Sequence, residues 1–173
     1  MIRNASVVAP DRRDLLTFSQ LRIGDRFRSR SHRMTLADIR AFATVYDPQV
    51  FHVDPERAAQ TLFGRLVASG WHTAAVTMRL FVEAVPIAGG LIGAGVGEIR
   101  WPRPVVPDDE LHVVVTVETL RESRSRPDIG LAGVRVETRN QNDEIVQIMR
   151  PQLVVPRQDD AADAGSALGK EMS

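Results

Sequence analysis

Cysteine is absent from all 173 residues, which excludes a disulfide framework, a thiolate nucleophile and every Cys-based zinc or iron–sulfur site. Any chemistry must come from carboxylate, imidazole, hydroxyl or backbone groups. A surplus of charge is also missing: 22 Lys+Arg face 22 Asp+Glu, for a formal net charge of zero, so no global positive field draws in nucleic acid or anionic lipid. Long apolar runs are lacking at the N-terminus, where residues 5–9 make only a short stretch, far below a spanning helix or a secretory core. Asp11 and Asp14 flank Arg12 and Arg13 and argue against a transit peptide. The expectation is a cytoplasmic protein with no membrane and no nucleic-acid partner. What is present, 43% hydrophobic and 25% charged residues, is the composition of an ordinary globular domain.

The organisation reads as a flexible segment at 1–14, one folded domain at 15–157 and a disordered tail at 158–173, the tail being small, polar and acidic. Thr35 ahead of Asp38, with Leu36, Ile39 and Ala43 at helical spacing, predicts a capped helix over 35–45. Asp47-Pro48 ends it, and Asp54-Pro55-Glu56 restarts a short one. The stretch 71–85 is apolar nearly all round, with His72, Arg79 and Glu83 as its only polar stripe, which predicts a long helix buried within the fold. Beyond Gly89 the period changes to alternation, as in Val113, Val115 and Val117, and Asn140-Gln141-Asn142-Asp143 supplies the turn of a hairpin. Pro151 marks an edge or a bulge. With a weaker strand near 26–33, about five antiparallel strands wrapped around one long central helix make an α+β domain.

Chemistry concentrates in Tyr46-Asp47-Pro48-Gln49-Val50-Phe51-His52, where a carboxylate and an imidazole lie five residues apart in an irregular connection. Asp47 and His52 could hold one water between them, one group accepting a proton while the other donates; the competing reading is a plain Asp-Pro turn beside a satisfied histidine. Capping explains Asp54 fully. Ser69-Gly70 opens the long helix, where free N–H groups and the positive dipole end suit a developing oxyanion, or simply a Ser cap. His72 reads as an internally hydrogen-bonded residue. The glycines between Gly89 and Gly97 precede a strand and not a helix, contrary to a dinucleotide-binding turn. Arg121 to Pro127 is a basic loop, and the four histidines show no ligand spacing, so no metal is expected.

These residues resemble the MaoC-like dehydratases, which include the (R)-specific enoyl-CoA hydratases and have the hot-dog fold. Asp47 and His52 fall on the Asp and His of that family's Gly-Asp-x-Asn-Pro-Leu-His motif, and Val53-Asp54 and Ala58-Ala59 follow. Gly70 falls on the glycine opening the central helix, and Arg100-Trp101-Pro102-Arg103-Pro104-Val105 and Ser123-Arg124-Ser125-Arg126-Pro127 resemble a bacterial branch. Tyr46, Gln49 and Val50 stand where the motif has glycine, asparagine and proline, and Ser69 where strict hydratases often carry histidine. The resemblance implies reversible hydration of a trans-2-enoyl-CoA to the (R)-3-hydroxyacyl-CoA, as in fatty acid metabolism. Asp47 and His52 would be catalytic, the Gly70 N–H would form the oxyanion hole, and Tyr46, Gln49, Phe51, Ser69 and Trp71 would contact substrate. It further implies an acyl-CoA or acyl-carrier thioester partner, no separate cofactor, and a homodimer or higher homo-oligomer. The alternatives are a hot-dog acyl-CoA thioesterase and a non-catalytic acyl-thioester-binding subunit.

Overall fold

The computed structural model describes residues 2–4 and 15–157. The tail 158–173 and residue 1 with residues 5–14 lie outside them. Residues 2–4 depart from the reading of 1–14 as a flexible segment: they form β1 (Ile2–Asn4), which pairs in parallel with β2 (Arg26–Arg28). The remaining strands are β3 (His32–Arg33), β4 (Ile92–Arg100), β5 (Glu110–Glu122), β6 (Ile129–Arg139) and β7 (Ile145–Pro156). They form one sheet in the order β1-β2-β5-β6-β7-β4, with β3 also on β5. Apart from the β1–β2 pair, every pairing in it is antiparallel. Seven strands replace the expected five or so because β1 joins, and because Ser29, Arg30 and Ser31 split 26–33 into two short pieces.

Of the two readings of Pro151, an edge or a bulge, the structure shows the second. The proline sits in β7, between β6 and β4, opposite Val96, where β4 shifts register before Ile99; the missing N–H is absorbed at that irregularity.

Helix α1 (Leu36–Tyr46) starts as its sequence predicts, with the Thr35 side chain accepting from the Asp38 N–H at 3.1 Å. Two one-turn helices follow, α2 (Val50–Val53) and α3 (Pro55–Ala58), and the Asp54 carboxylate caps the second by accepting from the N–H groups of Glu56 and Arg57. The long helix α4 (Gly70–Ala84) turns Thr73, Val76, Thr77, Leu80, Phe81 and Ala84 inward. There they join Phe27, Leu111, Val113, Val115 and Val136 in the core, whose removal from water is the main driving force of the fold.

Complete burial of α4 is not what the structure shows. Trp71, Met78 and Val82 are 60%, 43% and 51% exposed, and Ala75 lies on the same stripe. One sheet can cover only one side of a helix, so a helix apolar nearly all round leaves a second apolar stripe uncovered. Edge strand β4 is exposed as well, including Ile92 and Val96. Among the described residues, no helix is long and apolar enough to cross a membrane.

Candidate active site

Proline at 48 has no N–H to continue α1 and disfavours helical geometry at the residue before it. Asp47 therefore leaves the helix at φ −153°, ψ 69°, its own N–H still bonded to the Ala43 carbonyl. This swings the carboxylate toward α2, whose short turn carries His52. The two side chains meet with His52 Nε2 3.3 Å from Asp47 Oδ2. Extended residues 66–69 pass alongside, tied by Val67 N–H to the Phe51 carbonyl and Ala68 N–H to the Val105 carbonyl.

That strap fixes the imidazole. His52 Nδ1 lies 2.7 Å from the Val67 carbonyl oxygen, and a carbonyl can only accept, so Nδ1 carries a hydrogen and Nε2 is the ring atom turned to the carboxylate. Asp47 is fixed just as firmly: Ser69 Oγ donates to Oδ2 at 2.6 Å and Gln49 Nε2 to Oδ1 at 2.8 Å. Burial is the largest single influence on its ionisation and acts to raise the pKa, but the Ser69 and Gln49 hydrogen bonds and nearby His52 together outweigh it and hold the carboxyl below its ordinary value. The ionised carboxylate and, when the ring is neutral, the Nε2 lone pair are acceptors that face one spot. They can take the two hydrogens of one water and leave its lone pairs free.

The pair opens on a cleft of about 470 Å³. Phe51, Phe63 and Val67 supply apolar wall, and Gly70, Thr73 and Trp101 face them from α4 and the end of β4. Gly70 is the first residue of α4, so its N–H has no acceptor within the helix and adds to the positive dipole end there. Glycine is required for packing as well: a Cβ at 70 would stand 2.9 Å from the Trp101 ring.

Of the residues singled out from sequence, Asp47, His52, Gln49, Phe51, Gly70 and Trp71 all line this cleft. Ser69 is buried behind it with two tasks, capping α4 through the Trp71 N–H and donating to Asp47. Tyr46 does not line it; the residue is 72% exposed and its ring lies tilted against Phe42 at 5.0 Å, one turn back on α1. His72 does not show the internal hydrogen bonding expected of it: its ring stacks on Phe42 at 4.7 Å and Nδ1 has no partner. Thr73, Phe63, Trp101 and Arg103 line the cleft and were not singled out as site residues. The Trp-Pro-x-Pro run at 101–104 was the available signal for two of them. Among the described residues no three His, Asp or Glu side chains converge as a metal cluster would require. A second concavity of about 440 Å³ spans β4 to β7 around Gly95 and Gly133, but its cation, Arg150, is already paired with Glu98 and Glu118.

A sheet packed on one long helix, with a carboxylate–imidazole pair near that helix's N-terminus, is the hot-dog architecture. The model of the MaoC-like domain matches residues 18–140, and the chain belongs to that family. It is 32% identical over 141 residues to the uncharacterized protein YdeM of Bacillus subtilis, covering 81% of this chain and 97% of that protein. Among solved structures, the MaoC-like dehydratase from Rhodospirillum rubrum matches with a TM-score of 0.80 at 50% identity, over 83% of this chain and 98% of that one. The (R)-hydratase from A. caviae involved in PHA biosynthesis matches with a TM-score of 0.66 at 28% identity, over 79% and 98%.

Proposed function

We propose that the protein hydrates a trans-2-enoyl thioester reversibly to the (R)-3-hydroxyacyl thioester, with Asp47 and His52 as the acid–base pair. The observation that carries this reading is the 3.3 Å approach of a fixed carboxylate and a fixed imidazole on a cleft that faces the start of α4. The (R)-hydratase likeness gives it independent support.

The steps balance without an oxidant or a separate cofactor. The water oxygen forms the new bond to C3 as the pair removes one of its protons. The electrons of the C2=C3 bond move toward the thioester carbonyl, whose oxygen gains negative charge at the Gly70 N–H, and C2 then takes a proton from the pair. Acid–base help of this kind is worth about 10²- to 10⁴-fold, and a backbone oxyanion donor about 10²- to 10³-fold. Gln49 and Ser69 keep Asp47 ionised and aimed, while Phe51 and Trp71 wall the acyl group.

The working form is a homodimer or a larger homo-oligomer. Its support is the exposed stripe of Trp71, Met78 and Val82 together with β4, which has no further strand beyond it among the described residues. A second copy related by a twofold axis would pair the two edges and cover both stripes. Trp71 belongs to both the stripe and the cleft, so the acyl site would lie at the subunit boundary.

The test is incubation of the purified protein with crotonyl-CoA and longer enoyl-CoA thioesters, following the conjugated double bond and free thiol together. Loss of the double bond without thiol is expected. Thiol release would replace the reading with thioester hydrolysis, and no reaction at any chain length with a binding role.

A further inference from the structure

Aromatic residues are scarce in this chain, with two Trp, one Tyr and six Phe, yet both tryptophans and two of the phenylalanines line the cleft. They come as two couples. Phe51 in α2 and Phe63 in the connection after α3 have ring centroids 5.1 Å apart and planes at 55°. Trp71 in α4 and Trp101 just beyond β4 lie 5.6 Å apart at 75°. Among the described residues on the cleft wall there is no Leu, Ile or Met, the side chains that a long flexible alkyl group would call for.

The rings are held in place. The Trp101 indole N–H donates to Oε1 of the wholly buried Gln147 at 2.7 Å, and the ring lies over Gly70, where a Cβ would come within 2.9 Å of it. Phe51 packs edge-on against His52 with centroids 4.5 Å apart, and Phe63 packs on Phe51. Walls fixed in this way offer flat surfaces with little side-chain freedom left to lose. A rigid planar guest loses little more on entering, whereas a flexible chain gives up the freedom of every bond it fixes.

The two couples border different parts of the reaction. The thioester oxygen meets the Gly70 N–H, so the Trp101 ring over Gly70 borders the thioester end. Water adds to C3 beside His52, so the group carried by C3 comes next to Phe51, the ring packed on His52, with Phe63 beyond it. Arg103, the guanidinium on the wall, is already paired with Glu144 at 3.3 Å and is no free cation for an acidic acyl group. We propose that the acyl group carries an aryl ring on C3, as in a cinnamoyl thioester, and that Phe51 and Phe63 select it through edge-to-face and offset contacts, which are favourable beyond the area they bury. This rests on the hydratase reading above and adds the substrate class to it.

The experiment uses the full chain and has two readouts. Calorimetry gives the Kd of two unreactive thioesters, 3-phenylpropanoyl-CoA and 3-cyclohexylpropanoyl-CoA, which set a flat ring against a puckered and more hydrophobic one. Absorbance follows dehydration of racemic 3-hydroxy-3-phenylpropanoyl-CoA to cinnamoyl-CoA, with crotonyl-CoA hydration as reference. The wild type is expected to carry out the dehydration and to bind the phenyl compound about threefold to tenfold more tightly than the cyclohexyl one, the worth of one or two aromatic contacts. Phe63→Leu is expected to bring the two Kd values together, and Phe63→Tyr to keep them apart. Equal Kd values, a preference for the cyclohexyl compound, a ratio unmoved by Phe63→Leu, or no dehydration of the aryl substrate overturns the proposal, while crotonyl-CoA hydration leaves the parent reading standing. Failure of crotonyl-CoA and the aryl substrate alike to react overturns both.

Discussion

Among the described residues two histidine–carboxylate pairs occur, and they are equally buried on the histidine side: the side chains of His52 and His112 are each 6% exposed. His52 has its Nδ1 hydrogen tied to a carbonyl, and its carboxylate partner at 3.3 Å is met only by neutral donors, Ser69 and Gln49. His112 lies 3.7 Å from Asp143, its Nε2 unbonded, and Asp143 is already engaged by the Arg139 guanidinium at 3.0 Å. Burial first, and then Arg28, holds the His112 pKa below its ordinary value. Proximity of an imidazole to a carboxylate is thus insufficient for acid–base chemistry. The proposed mechanism needs a ring held through its other nitrogen and a carboxylate free of a competing cation; access does not separate the pairs, because His112 and Asp143 also line a concavity of about 300 Å³.

The largest effect expected from breaking this contrast is at the first pair. Asp47→Asn and His52→Ala should each lower enoyl-CoA hydration about 10²- to 10⁴-fold, with circular dichroism and the unfolding midpoint close to wild type. The matching changes His112→Ala and Asp143→Asn should leave kcat/KM within about threefold, and a loss comparable to that of Asp47→Asn would dissolve the distinction between the pairs.

Ser69→Ala sharpens it further. Removing the 2.6 Å hydrogen bond takes away one of the influences that keep the Asp47 pKa low. In the proposed mechanism the ionised carboxylate is the working form, so activity that falls at acid pH in the wild type should begin to fall at a higher pH in the variant. At neutral pH the expected loss is about tenfold. An unmoved acid limb in the pH–rate profile would remove Ser69 from this role.

A separate pair of surfaces can be set against each other in the same way. Met78→Glu places a charge on the exposed stripe of α4 and should shift the sedimentation behaviour toward monomer, while Glu at the already polar position Arg79 should not. Smallest of all is a stability effect. His32, His72 and His112 are each held below the usual 6.5, with burial the first cause in every case. The unfolded chain therefore takes up protons that the folded one refuses, so their contribution is present above about pH 6.5 and is lost as the pH falls. Thermal unfolding scans across that range should show a declining midpoint on the acid side.

Much of this site was legible from the chain itself, where the determinants are local. Thr35, Asp54 and Ser69 act as caps because a short polar side chain ahead of a helix has few other uses. Asp47 and His52 were found because Pro48 and the helix restart at Pro55 confine them to one bend. The parts that escaped notice depend on contacts far apart in sequence. Trp101 and Gln147 are 46 residues apart, and Ser69 reaches Asp47 across 22, so no periodicity announces either. The exposed stripe of α4 was misread for a related reason. Hydrophobic pattern reports that a face wants cover, and is silent on whether this chain or another copy supplies it. Tyr46 was drawn into the site by its neighbour Asp47, but adjacent residues on a helix point in different directions, and its ring went to Phe42.

Joint use of one water by Asp47 and His52 is tested most directly by single-turnover hydration of crotonyl-CoA with Asp47→Asn, His52→Gln and the double variant. Two groups that act as one unit lose their function when either is removed, so the double variant should be no slower than the worse single variant within about threefold. Losses that multiply, with the double variant slower by the product of the two single effects, would show that the carboxylate and the imidazole act independently and contradict the shared water.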